Sequence, residues 1–225
     1  MPHFDITKES KVENTFRVSK IQADFDVKPE HSAEHFVGDI ILPNEWNIGA
    51  IVGGSGTGKS TIAKAVFGDR MISGFDYSAS SVIDDMPQGI SMEQIERIFY
   101  SVGFGSVPSW LKPYAVLSNG EKMRVDLARA MLENDFFVFD EFTSVVDRRV
   151  AETACLAIRK AIQAGGKKFV AVSCHYDILP WLKPDWVFDT NKMEGFFGKA
   201  HYLKNVLQSK NASMRSGQNL SVITI

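Results

Sequence analysis

The feature that most constrains this chain is a short apolar run, Ile48 to Val52, that passes directly into Gly53-Gly54-Ser55-Gly56-Thr57-Gly58-Lys59-Ser60-Thr61 and then into the helical pattern Ile62, Ala65, Val66. Gly53 and Gly58 flank four residues and precede Lys59 and Ser60, which is the spacing G-x-x-x-x-G-K-[ST] of a phosphate-binding loop between a buried strand and a helix. A polyphosphate is a dense anion, so the loop must wrap backbone N–H groups around it, and a side chain at the positions of close approach would block that path. The pattern therefore assigns Gly53, Gly54, Ser55, Gly56, Thr57, Gly58, Lys59, Ser60 and Thr61 to nucleotide binding. Lys59 is placed to reach the β- and γ-phosphates, Ser60 to ligate Mg²⁺ through its hydroxyl, and the following helix to add the positive end of its dipole.

A second strand pattern, Phe136 to Phe139, ends in Asp140-Glu141. In an open α/β sheet the carboxyl ends of the strands are where ligands bind, so both carboxylates fall on the functional edge. Asp140 suits a Mg²⁺ ligand, and Glu141 suits the base that polarises water for in-line attack on a γ-phosphate.

The rest of the chain alternates in the same way. Ile21, Ala23, Phe25 and Val27 alternate with polar neighbours, and Phe36 to Leu42 is apolar up to Pro43, so both read as strands ahead of the loop. A further strand is expected at 81–84 and a helix at 91–102, with Met92, Ile95, Ile98 and Phe99 on one face. Helix 121–133, strand 136–139, helix 150–164 and strand 169–173 complete the alternation and predict a mostly parallel sheet covered by helices.

Composition agrees with a globular chain: of 225 residues, 44% are apolar and 23% charged, enough for one substantial core. No apolar run approaches the roughly 18 residues of a membrane-spanning helix, and the first thirty residues hold no signal-peptide segment, so a cytoplasmic location is expected. Two cysteines, Cys155 in a helical pattern and Cys174 in a strand pattern, suit a reducing compartment and are too few for a metal site. The net charge of −2 makes no electrostatic case for nucleic acid, although Lys199, Lys204, Lys210 and Arg215 make the tail locally basic.

Leu117-Ser118-Asn119-Gly120-Glu121 opens the helix before the acidic strand. With it, the phosphate loop, Gln88, Phe139-Asp140-Glu141, Ser144-Val145-Val146-Asp147 and His175 stand in the order of the motifs of the ABC ATPases, and from about Phe36 to Asp189 the chain resembles that family. The resemblance implies an α/β P-loop NTPase fold with an N-terminal antiparallel β portion and a shortened helical subdomain at about 89–133, within an ATPase domain of residues 1–194 followed by a tail at 195–225. It also implies a dimer formed head to tail around ATP. Ser118 and Gly120 of one protomer would contact the γ-phosphate held by the other. His175 would contact the same phosphate, Gln88 would sense Mg²⁺ and the attacking water, and Asp147 would lie along the dimer seam. The chain departs from the family at two points: Asn119 stands where the signature has its middle glycine, and Phe142 stands where proline usually follows the catalytic glutamate. The aromatic that stacks on adenine is left open between Phe25 and Phe36.

The resemblance leaves three uses. About 28 residues separate Gln88 from Leu117, room for one clear helix, where transporter ATPases have more. That favours an ATPase driving a soluble protein or nucleic-acid partner. The nucleotide-binding subunit of a membrane transporter, working with a permease, is the alternative, and an ATP-gated binding module with little turnover is the third.

Overall fold

The computed structural model describes residues 2–10, 13, 15–26, 32–72 and 74–197. In chain order they form β1 (His3–Ser10), α1 (Phe16–Phe25), β2 (Ser32–Asp39), β3 (Ile48–Val52), α2 (Lys59–Phe67), β4 (Met71–Ile72), α3 (Met92–Ser101), α4 (Val107–Trp110), α5 (Asn119–Glu133), β5 (Phe136–Phe139), α6 (Arg148–Gly165), β6 (Lys168–Ser173), α7 (Ile178–Leu182), β7 (Trp186–Asp189) and β8 (Glu194–Phe197).

Six strands make one sheet in the order β4-β5-β6-β3-β7-β8, parallel except for the edge strand β8. The loop-bearing strand β3 lies inside it, between β6 and β7, and all five of its residues are buried. Because side chains alternate across a strand, each central strand feeds two cores. Ile48, Ala50 and Val52 of β3, Phe137 of β5, and Phe169 and Ala171 of β6 pack with Phe99, Leu127 and Ile158 of α3, α5 and α6. Ile51, Val138, Val170 and Val172 face the other way, onto Ile62 and Ala63 of α2 and Phe4 of β1. Gly49 has no side chain because Trp186 occupies its place: a Cβ there would lie 2.1 Å from the indole ring.

β1 and β2 pair antiparallel from His3 opposite Asp39 to Ser10 opposite Ser32. Two cross-strand contacts, His35 Nε2 to Asp5 at 2.7 Å and His3 Nδ1 to Asp39 at 3.0 Å, tie the pair on its exposed face. This is the antiparallel portion expected ahead of the loop, but its composition corrects the sequence reading. The segment around Ile21 is the helix α1, not a strand. Thr15 caps it through Oγ1, which accepts the Val18 N–H at 3.3 Å, and Asp26 ends it in the left-handed region. Val18, Ile21 and Phe25 recur at helical spacing, and the alternation of Ile21, Ala23 and Phe25 was too short to exclude that period. None of the helix's residues is buried. Val27 lies outside the described residues. The apolar run from Phe36 gives only its first four residues to β2, and Ile40 continues into the core.

The strand expected at 81–84 is also corrected. Those residues form a turn in which the Asp84 N–H donates to Ser81 O at 3.2 Å and the Ser81 hydroxyl donates to Asp84 Oδ2. Asp84 and its partner serine satisfy each other locally, as short polar side chains do in turns, and the edge strand β4 forms earlier, at Met71–Ile72. Between Gln88 and Leu117 the chain adds a single-turn helix, α4, to the expected α3. Cys174 falls just past β6 rather than within it, and both cysteines are free thiols. The basic residues 199, 204, 210 and 215 lie outside the described residues.

Candidate nucleotide site

The phosphate loop sits where the sequence places it, between the end of β3 and the start of α2. Gly58 occupies the helix N-cap at φ 80°, and a Cβ on it would lie 2.7 Å from the Phe36 ring, so both backbone and space demand glycine. A Cβ on Gly53 would lie 2.0 Å from Thr190 Oγ1. No side chain caps α2, so its first amides stay available to an anion. Lys59 is buried and folds back over the loop, donating from Nζ to Gly54 O at 2.6 Å; Thr57 Oγ1 donates to the same carbonyl at 2.9 Å. Ser55 is exposed in the turn and Thr61 half-buried in α2.

Asp140 and Glu141 follow β5 directly. Asp140 Oδ1 accepts from Ser60 Oγ at 3.0 Å and from the Glu141 N–H at 2.9 Å. A hydroxyl and a carboxylate oxygen thus stand side by side beneath the loop. Among the described residues no cluster of three or more His, Cys, Asp or Glu could hold a metal ion. That sparse, all-oxygen pair fits Mg²⁺, which takes one or two protein ligands and completes its octahedron with water and phosphate. Glu141 has φ 51° and Thr143 φ 66°, two left-handed residues in a tight turn, and Glu141 Oε2 accepts from Ser144 Oγ at 2.5 Å. Phe142, at the position where proline was expected from the family, is fully buried, and its N–H donates to Val172 O at 2.8 Å, a bond proline could not make. The substitution docks the turn onto β6.

His175 follows β6, and its N–H donates to Ser173 Oγ at 3.1 Å. Burial is the main cause holding the imidazole below the usual histidine range, and Arg148 adds to it. Asp177 and Glu141 pull the other way, and Lys59 again lowers it, so the charges of the phosphate loop and of the turn after β5 reach this ring. Arg148 is itself fixed by Asp177 at 3.0 and 3.3 Å and by Thr143 O at 3.1 Å. A depressed histidine stays neutral at neutral pH. As pH falls below about 6.5 the unfolded chain takes up the proton first, so folding loses stability from there until the lower folded value is crossed. We expect His175 to titrate by NMR with a midpoint below 6.5, and the His175→Ala protein to lose less Tm between pH 7.5 and 5.5 than its parent. A midpoint above 6.5 would contradict this reading of the ring's surroundings.

The signature segment forms a second group. Ser118 caps α5 in a reciprocal box with Glu121, its hydroxyl donating to Glu121 Oε2 at 2.7 Å. Hydrogen bonds from Ser109 and then Ser118 hold the Glu121 carboxyl below the usual range. Asn119 Nδ2 reaches Val145 O at 3.4 Å, so the residue in place of the middle glycine ties the signature to the loop after Glu141. A Cβ on Gly120 would lie 3.0 Å from Val150. Asp147 caps α6 by accepting from the Arg149 and Val150 amides, each at 3.0 Å. One cleft is lined by Asn119, Lys122 and Asp126 on α5 and by Tyr114, Asp140 and Glu141.

The structure therefore gathers Lys59, Ser60, Asp140, Glu141 and His175 at one edge of the sheet, and Ser118, Gly120 and Asp147 at the adjoining starts of α5 and α6. Gln88 is exposed in the turn before α3, and among the described residues no hydrogen bond joins it to Ser60 or Asp140. Of the two aromatics weighed for adenine, Phe36 packs on the loop at Gly58, whereas Phe25 is exposed on α1. Sequence reasoning missed Thr190 and Asn191. Thr190 Oγ1 lies 2.6 Å from Thr57 Oγ1, and Asn191 Oδ1 accepts the Gly54 N–H at 3.1 Å. Their signal was present: two polar residues directly after an apolar strand, the same criterion that found Asp140 and Glu141.

No protein-family model matches the chain. Among curated proteins it is similar to the mitochondrial iron-sulfur clusters transporter ATM1 of Saccharomyces cerevisiae, 28% identical over 174 residues that cover 59% of this chain and 25% of the relative. The mitochondrial iron-sulfur clusters transporter ABCB7 of Homo sapiens is 30% identical over 169 residues, covering 54% and 22%. The chain thus spans about a quarter of the length of these relatives. Among solved structures, cbiO1 from Clostridium perfringens, part of the ABC transporter complex cbiONQ, superposes with a TM-score of 0.59 at 16% identity over 82% of this chain and 89% of its own. The ATP-binding cassette MJ0796 bound to ADP and Pi gives 0.57 at 15% identity, over 83% and 92%. At such identity the likeness is one of fold. Taken with the order of the motifs and with relatives of the same class, that likeness gives the chain the fold of an ABC-class cassette, a P-loop nucleotide-binding fold.

Proposed function

We propose that the chain binds ATP with Mg²⁺, closes head to tail against a second cassette, hydrolyses the nucleotide, and thereby moves a membrane-embedded partner. The observation that carries the ATPase reading is the convergence of Lys59, Ser60, Asp140 and Glu141 on one point, with Ser60 Oγ 3.0 Å from Asp140 Oδ1. Lys59 and the open amides of α2 hold the phosphates. Ser60 and Asp140 would hold Mg²⁺, which when bound offsets the charge of the β- and γ-phosphates. Glu141 draws the proton of the attacking water, and the neutral His175 donates a hydrogen bond to the γ-phosphate. Ser118 would turn its hydroxyl from Glu121 to the phosphates of the facing cassette, with the Asn119 and Gly120 amides, which the capping box leaves unused, behind it. Loss of the γ-phosphate removes those bridging contacts and lets the pair open.

The membrane partner is favoured because the curated relatives are named as transporters and the similar cbiO1 is part of a transporter complex. Among the described residues no helix is long and apolar enough to cross a membrane, so a membrane-embedded part would have to be contributed from outside them. A soluble protein or nucleic-acid partner is the second reading. It rests on the small helical portion, where α3 and the single turn of α4 are the only helices between Gln88 and Leu117 apart from a 3-10 turn. Purification of the Glu141→Gln protein from its own cells with ATP and Mg²⁺ in mild detergent tests the choice. A polytopic membrane protein is expected to co-purify; recovery of soluble proteins or nucleic acid alone would overturn the membrane coupling.

A further inference from the structure

A continuous set of hydrogen bonds runs from the histidine segment to the phosphate loop through residues with no role so far. Tyr176 directly follows His175. Its hydroxyl donates to Asp189 Oδ1 at 2.8 Å and accepts from Asn191 Nδ2 at 2.9 Å. The Asn191 N–H also donates to Asp189 Oδ1, at 2.9 Å, and Asn191 Oδ1 accepts the Gly54 N–H at 3.1 Å. Asp189 anchors the set: it is buried at the end of β7, in register with Val52 at the end of β3. On the far side of Gly54, its carbonyl accepts from Lys59 Nζ and Thr57 Oγ1.

The direction of every bond is fixed by chemistry. Asn191 offers one carbonyl and one NH₂, the first spent on Gly54 and the second on Tyr176. A shift of Tyr176 must either carry the Asn191 amide with it or hand that exposed donor to water. Gly54 in turn holds the carbonyl that Lys59 must release before its ammonium can reach a phosphate. We propose that Tyr176 and Asn191 are positioning residues that couple the histidine segment to the phosphate loop, so that the γ-phosphate met by His175 is also registered at Gly54. The inference rests on the ATP-binding reading above and goes beyond it in naming the link. A second tie, in which the Thr190 hydroxyl donates to Thr57 Oγ1 at 2.6 Å, does not pass through Tyr176 and keeps the loop folded when the tyrosine hydroxyl is removed.

Calorimetric affinities for the Mg²⁺ complexes of ADP and of a β,γ-imido ATP analogue test this. Tyr176→Phe is expected to weaken the ATP analogue about five-fold while leaving ADP unchanged, the worth of one ordinary hydrogen bond. In a His175→Ala background the same change is expected to have no further effect, because the γ-phosphate is then no longer read. Equal weakening of both nucleotides, no change in either, or an effect that persists without His175 would reduce the set to a structural tie and overturn the coupling. Should Tyr176→Phe fail to fold, Asn191→Ala, whose side chain is exposed, carries the same comparison. If the unaltered protein binds neither nucleotide, the ATP-binding reading itself falls, a result distinct from a parent that binds both and a variant that matches it.

Discussion

Replacement of Glu141 by Gln is expected to lower ATP turnover about 10²- to 10⁴-fold, the range spanned by a general base, while leaving ATP affinity within about two-fold of the parent. The reasoning starts from shape. Glutamine keeps the side-chain length, and its amide oxygen can still accept from Ser144 Oγ, so the turn that holds Glu141 at φ 51° has its partner. Asp140 is untouched and still accepts from Ser60 at 3.0 Å, so the oxygen pair for Mg²⁺ survives. Only basicity is lost, and basicity matters to the water and not to the bound nucleotide. A loss in kcat without a loss in affinity is the signature of an interaction made in the transition state alone. Steady-state phosphate release and calorimetric ATP binding measure the two separately. Turnover within about three-fold of the parent would move the base to another residue, His175 being the nearest alternative whose electrostatic surroundings include this carboxylate.

How the sequence reveals this site follows from which signals are local. Strands β3, β5 and β6 are buried apolar runs that end in polar chemistry, and a run of four to six apolar residues leading into glycines or carboxylates specifies both the element and its edge. Helices α3 and α5 carry their own start signals, Ser91 with Gln94 and Ser118 with Glu121, each a capping box legible at a spacing of three. The helix α1 was misread because its apolar residues face no core: Phe16, Ile21 and Phe25 are all more than half exposed, and without a buried face neither period dominates. The turn at 81–84 was misread because Val82 is apolar for a reason outside its own segment. Its N–H is taken by Lys112 O and its side chain joins the core beneath α5.

The residues that escaped the sequence reading are those whose meaning depends on a distant strand. Asn191 stands directly after an apolar strand, which marks it as an edge residue, but its partner is set only when β7 pairs with β3 and brings it to Gly54, 137 positions away. Phe142 looked like a defect against the family pattern; its N–H on Val172 O, with its ring against Phe139 and Phe169, gives the turn a different anchor. Tyr77 and Tyr114 likewise meet only in the fold, their rings stacked 3.9 Å apart and both hydroxyls donating to Asp126. Burial raises the Asp126 carboxyl above its usual range while the two tyrosine hydrogen bonds lower it in part, so α5 is held to the segment before Gln88 by a half-buried polar set that no local pattern announces.

Lys59→Ala is expected to weaken ATP binding about 100-fold or more, with little change in Tm. Hydrogen bonds to a charged group are worth about 1.5 to 3 kcal/mol each, and an ammonium set between two phosphates makes more than one; at about 1.4 kcal/mol per decade the loss exceeds two decades. Stability is spared because the bond that Lys59 Nζ makes to Gly54 O in this structure is duplicated by Thr57 Oγ1, 2.9 Å from the same carbonyl. The ammonium that bonds Gly54 O is the one that would turn to phosphate, and Thr57 and Asn191 keep Gly54 in place when it does so. Lys59→Arg separates charge from fit. The planar guanidinium keeps the charge but not the compact tip, and in a loop where Lys59 is already buried it is expected to recover only part of the affinity. Calorimetric ATP binding with a parallel melting curve distinguishes the cases: a loss of affinity with unchanged Tm supports direct phosphate contact, whereas a fall in Tm matching the fall in affinity would make Lys59 a structural clamp of the loop and shift phosphate recognition to the α2 amides.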